Sequence, residues 1–129
     1  MVNPVGIVLV SHSERLALGL RDLLLQVAGA ARVEVAGGAE GGGLGTSDER
    51  LRTAIKAADR GAGAVVLADL GSAVLTTRTV LADDPGADVV LVDAPFVEGA
   101  VAAAVIAATG ADLAAVCAAA QEARHVPKF

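Results

Sequence analysis

The sequence predicts an α/β fold. The architecture is a three-layer sandwich, with helices on both faces of a doubly wound, mainly parallel four-stranded sheet of order 2-1-3-4. Three observations carry this expectation. Four short apolar runs rich in β-branched residues recur along the chain. Each is followed by a stretch with helical spacing of its apolar residues. The runs are continuously apolar rather than alternating, which is the pattern of strands buried on both faces.

The first run, VGIVLV at 5–10, is the first strand. Leucines at 16, 20, 23 and 24 then mark a helix over 14–28, with Ser13 as N-cap and Gly29 as its stop. RVEVA at 32–36 is the second strand, and the glycine-dense stretch 37–46 is a loop. Ser47 caps a helix over 48–59, with Leu51, Ile55 and Ala58 on one side. The third strand is GAVVLA at 63–68, and a helix over 72–82 starts after Asp69-Leu70-Gly71. A turn at Asp83-Asp84-Pro85-Gly86 leads to the fourth strand, DVVLV at 88–92. Helical patterns cover 97–108 and 112–123, and Pro127 falls in a frayed tail.

The bulk composition narrows the function. The chain has 129 residues, the length of one domain over 1–129. Aromatics are only 2%, so the core is aliphatic. A net charge of −5 argues against a nucleic-acid partner. Charged residues are only 19%, a share that fits either a surface partly covered by another chain or simply an alanine-rich composition. One cysteine, Cys117, allows no disulfide framework and suits a cytoplasmic protein; on an alanine face it reads as a small core residue. No signal peptide is visible, and no apolar run reaches the roughly 18 residues of a membrane span.

In an open sheet of this order, ligands bind beyond the carboxyl ends of strands 1 and 3, where the strand order reverses. Ser11-His12-Ser13 follows the first strand and Asp69-Leu70-Gly71-Ser72 follows the third. Topology therefore brings a histidine and an aspartate to one crevice. A carboxylate that accepts the Nδ1 proton of an imidazole leaves Nε2 as a nucleophile able to take a phosphoryl group. The helices after Ser13 and Gly71 aim N–H groups at the same space, a setting for phosphate oxygens. Ser72 and Thr46 offer hydroxyl donors.

Plainer roles stand beside these. His12 also fits a loop or capping residue, Asp69 an N-cap for the third helix, and Ser72 and Thr46 caps or turn residues. His125 reads as a solvated tail residue, and Glu98 is open between helix charge and site residue. GGGLGTS lacks the lysine of a nucleotide phosphate loop, and one cysteine with two scattered histidines makes no zinc site. No nucleophile-elbow serine is present.

The segments VGIVLVSHSERLALG, Gly45-Thr46, Leu67 through Ala73, Ala94 through Gly99 and Thr109 through Asp112 together span nearly the whole chain. In that order they resemble the IIA-type domain of the phosphotransferase subunit of bacterial phosphoenolpyruvate-dependent dihydroxyacetone kinase, a relative of mannose-type IIA proteins. The resemblance implies that His12 is phosphorylated, with phospho-HPr as donor. It implies an acceptor ADP held with magnesium on the kinase's nucleotide-binding subunit, with no cofactor or metal bound directly by this chain. It also implies a homodimer. Mannose-type relatives carry two glycines and a Ser-Pro after strand 3, which this chain lacks. Longer family members carry fused HPr-like and enzyme I-like domains; HPr is expected to act in trans here, unless this sequence is part of a longer chain. The competing readings are a mannose-type sugar IIA component, a regulatory module that docks according to its phosphorylation state, and a flavodoxin-like cofactor binder. The absence of Trp and Tyr argues against the last.

Overall fold

A computed structural model describes residues 3–129. Its elements run β1 Gly6–Ser11, α1 Glu14–Val27, β2 Arg32–Gly37, α2 Asp48–Ala58, β3 Ala64–Ala68, α3 Gly71–Ala82, β4 Val89–Leu91, α4 Phe96–Ala107 and α5 Leu113–Glu122. A short 3-10 turn follows at Ala123–His125. The four strands form one parallel sheet of order β2-β1-β3-β4, as the sequence predicts.

The sheet is covered on both faces because side chains alternate along each strand. Ile7 and Leu9 of β1, with Val65 and Leu67 of β3, face a core completed by Leu20 and Leu24 of α1, alanines of α4, and Val116 of α5. Val8, Val10 and Val66 face the opposite core with Leu51 and Ala54 of α2 and Ala73 and Val80 of α3. Both cores are aliphatic, and small residues let the layers approach closely. Gly6 of β1 lies so near α2 that a Cβ there would overlap the carbonyl of Ala58.

Two helix starts follow the serines that the sequence marks as caps, Ser13 and Ser47, and Asp112 is a further cap. Ser13, Ser47 and Asp112 each accept an N–H from the first turn of α1, α2 and α5. The α3 start differs: Leu70 occupies the N-cap position and supplies no side-chain bond, so Asp69 is not the cap of that helix.

The strands are less uniformly buried than their composition implies. β1 is buried throughout, but β2 is buried at only some positions, and β4 shrinks to three partly exposed residues. The reason is position: β4 is a sheet edge, bonded to β3 alone. The tail from Val126 to Phe129 is irregular and exposed, with Lys128 Nζ 2.9 Å from Glu98 on the first turn of α4.

Gly6→Ala is expected to destabilise the protein by about 1–3 kcal/mol through overpacking against α2. Gly19→Ala, at an exposed position of α1 with open space around it, is expected to stabilise by about 0.5–1 kcal/mol. Urea unfolding of the two variants checks both signs.

Candidate active site

The crevice forms where β1 and β3 end level with one another. Val10 pairs with Ala68, and the Asp69 amide donates to the Val10 carbonyl at 3.1 Å. This register sets Asp69 beside Ser11 and His12 across the strand gap.

His12 stands at the β1–α1 turn with its side chain 23% exposed, while that of Asp69 is 9% exposed. The imidazole Nδ1 lies 2.9 Å from Asp69 Oδ1. An ionised carboxylate only accepts, so in the neutral ring Nδ1 carries the hydrogen and Nε2 keeps its lone pair. The Ser72 hydroxyl, on the first turn of α3, contacts Nε2.

Asp69 is held by more than the ring. Its Oδ2 accepts from the His12 backbone N–H at 3.0 Å and from the Ser11 hydroxyl at 2.9 Å. Its Oδ1 also accepts from the Leu70 N–H at 2.7 Å. Burial pushes the Asp69 carboxyl upward, but the bonds from His12, Ser11 and Leu70 outweigh it and hold the carboxyl below its ordinary 3.8. The group therefore stays ionised at neutral pH.

The glycine loop closes one side of the site. Gly45, at φ 136°, donates its N–H to the His12 carbonyl at 2.9 Å, a backbone conformation that side-chain-bearing residues rarely adopt. Gly38 likewise donates to the Ser11 carbonyl at 3.0 Å.

The residues named from sequence divide into two groups. His12, Asp69 and Ser72 come together, and Gly71 sits beside them as the first residue of α3. At the start of a helix, the N–H groups of Gly71 and Ser72 have no preceding helical carbonyl to bond. Ser13 and Thr46 are engaged elsewhere. The Ser13 hydroxyl caps α1 through Leu16 N–H, and the Thr46 hydroxyl bonds that of Thr76 at 2.8 Å. Glu98 is paired with Lys128 rather than with His12. Ser11 was not singled out by sequence reasoning, although it is fully buried and bonded to Asp69. A hydroxyl closing an otherwise apolar strand, immediately before the histidine, was the available signal.

The family model described as "PTS system fructose IIA component" matches residues 6–117. The chain belongs to this family. It is also homologous to proteins named as phosphoryl donor subunits, DhaM, of PEP-dependent dihydroxyacetone kinases. One from Listeria innocua is 36% identical over 106 residues, covering 81% of this chain and 82% of the relative. One from Lactococcus lactis, named as the phosphotransferase subunit, is 33% identical over 111 residues, covering 86% and 89%. The Escherichia coli relative is 36% identical over 116 residues, but this chain spans only 25% of its length. A solved structure of a protein of unknown function, EF1359, superposes with a TM-score of 0.81 at 34% identity, covering 92% of this chain and 94% of that one.

Asp69→Asn is expected to cost about 2 kcal/mol at neutral pH, since an amide presents hydrogens to some of the donors that now meet carboxylate oxygen. A depressed folded-state pKa contributes stability that is complete above the ordinary carboxylate value and is lost as pH falls through the folded value. The stability gap between wild type and Asp69→Asn should therefore be full at pH 7 and narrow below pH 3.8, as followed by urea unfolding across that range.

Proposed function

We propose that this domain is the phosphoryl carrier of a phosphoenolpyruvate-dependent dihydroxyacetone kinase. The observation that carries the reading is the His12 ring itself. Asp69 anchors Nδ1, and Nε2, on a side chain that is 23% exposed, meets the Ser72 hydroxyl at the start of α3.

In the first step the N–P bond of phospho-HPr breaks as a new one forms to His12 Nε2. The ring keeps its Nδ1 hydrogen, and Asp69 stabilises the positive charge that develops on the imidazole. The Ser72 hydroxyl rotates from Nε2 to a phosphoryl oxygen, and the N–H groups of Gly71 and Ser72 meet the remaining charge. In the second step the phosphoryl group passes to the terminal phosphate of ADP held with magnesium on the kinase's nucleotide-binding subunit. The ATP formed there phosphorylates dihydroxyacetone. Ser13, whose hydroxyl accepts from the Leu16 amide, and Thr46, bonded to Thr76, keep hydroxyl capacity for phosphoryl oxygens as well.

The shape of the site favours protein partners over a free small molecule. Five surface clefts of about 320–460 Å³ are lined by other residues, and His12, Asp69 and Ser72 line none of these five. Exposed leucines occur in the loops that meet at the site: Leu44, 82% exposed, precedes Gly45, and Leu70, 63% exposed, follows Asp69. Exposed apolar side chains in these loops suit a partner's docked face. We take the carrier to be a cytoplasmic homodimer, and half-exposed Leu16, Leu23, Leu25 and Val27 on α1 agree with a surface that meets other chains.

Incubation with phosphoenolpyruvate, enzyme I and HPr should place one acid-labile phosphoryl group on His12, located by mass mapping. His12→Ala should take up none. Asp69→Asn should slow the transfer by about a hundredfold or more. The label should drain onto ADP when the kinase subunit is added. Drainage onto a sugar-permease IIB domain would instead support the mannose-type reading, and a label that no acceptor drains would support a regulatory module. Leu44→Asp should raise KM for phospho-HPr about tenfold while leaving phosphorylation by the small donor phosphoramidate unchanged.

A further inference from the structure

We infer that Ser11 is a positioning residue: its buried hydroxyl locks the Asp69 carboxylate in one orientation and thereby fixes which nitrogen of His12 is free to react. The inference rests on the reading of His12 as the phosphoryl-carrying residue.

The argument begins with the donors. Ser11 is the last residue of β1, fully buried, and its Oγ has two partners. The Ser13 N–H donates to it at 3.1 Å, and it lies 2.9 Å from Asp69 Oδ2. The amide can only donate and the carboxylate can only accept, so the hydroxyl hydrogen must point at Asp69. The serine thus relays the polarity of an amide at the start of α1 into the carboxylate.

That bond completes a set. A carboxylate offers about four lone-pair positions. Asp69 Oδ1 accepts from the His12 ring and the Leu70 amide, while Oδ2 accepts from the His12 amide and Ser11. With every position filled, the carboxylate has no second orientation of equal energy. Without Ser11, Oδ2 keeps only the His12 amide, and rotation of the carboxylate becomes easier. The Nδ1 contact then loosens, and the alternative ring tautomer, with hydrogen on Nε2, gains population. That tautomer has no lone pair at the nitrogen that must form the N–P bond.

The surroundings leave this role to hydrogen bonding rather than to net charge. Asp69 meets the β1–α1 turn through Ser11 and His12 and its own β3–α3 turn through the Leu70 amide. His12 is the titratable side chain in contact with it, and α3 contributes Ser72 to the far side of the ring. Removal of a donor from the carboxylate favours its protonated form.

The test uses ¹⁵N- and ¹³C-labelled full-length protein. In Ser11→Ala the Asp69 carboxyl should titrate about one unit higher than in wild type. The His12 ring nitrogens should move toward a mixture of tautomers. Transfer from phospho-HPr should fall about tenfold in kcat with KM little changed, and the acid limb of its pH profile should shift upward. A purely structural role would lower stability without moving the carboxyl titration or the tautomer ratio. Should the alanine variant fail to fold, Ser11→Cys, close in size with a weak thiol donor, should show the same shifts in smaller measure. An unchanged carboxyl titration and tautomer ratio in the folded variant overturns the inference. Failure of phospho-HPr to label wild type would overturn the carrier reading but leave the two spectroscopic readouts intact, so the two failures are distinguishable.

Discussion

The site depends on one constraint: a carboxylate is held between the ends of two neighbouring parallel strands. Asp69 belongs to the end of β3, yet three of its hydrogen bonds come from Ser11 and His12 at the end of β1. Those bonds convert strand pairing into side-chain orientation. The register of β1 on β3 sets where the carboxylate lies, and the carboxylate sets where the imidazole points. The aliphatic cores on both faces matter to chemistry through this route, because they hold the two strands level.

The same geometry resolves an electrostatic conflict. Taking a carboxylate out of water disfavours its charge, and here that penalty is real. It is met by two backbone N–H groups, a hydroxyl and a ring nitrogen. Among the described residues none of its hydrogen-bond donors is a lysine or arginine, so the negative group is fixed without such a cation bonded to it. A formal cation there would work against the positive charge that the proposed phosphoryl transfer would build on the ring.

Much of this was legible in the sequence because it follows from period and order. Continuous apolar runs alternating with helical spacing gave the sheet, and the commonest strand order put His12 beside Asp69. Ser72 was legible as the first hydroxyl on the helix that faces them. The less legible parts depend on which way a hydroxyl turns. Nothing in spacing distinguishes Ser11, whose hydroxyl turns inward to Asp69, from Ser13, whose hydroxyl turns back onto its own helix. Thr46 finds Thr76 across a loop whose path glycines leave undetermined from sequence. The thinness of β4 was hidden for a different reason: composition records how apolar a strand is, not whether a neighbour covers its outer edge.

The glycine loop is pinned at its two ends and open in its middle. Gly38 and Gly45 bond to the carbonyls of Ser11 and His12, whereas Gly41, Gly42 and Gly43 have free space where side chains would stand. Their φ angles of 78°, 96° and 79° nonetheless reserve these positions for glycine, while Glu40 accepts from the Ser47 hydroxyl and Gly43 from the Ala39 amide. The loop therefore holds its path by backbone conformation rather than by side-chain packing, and the strand end that carries the histidine is bordered by a segment whose shape only glycine can keep.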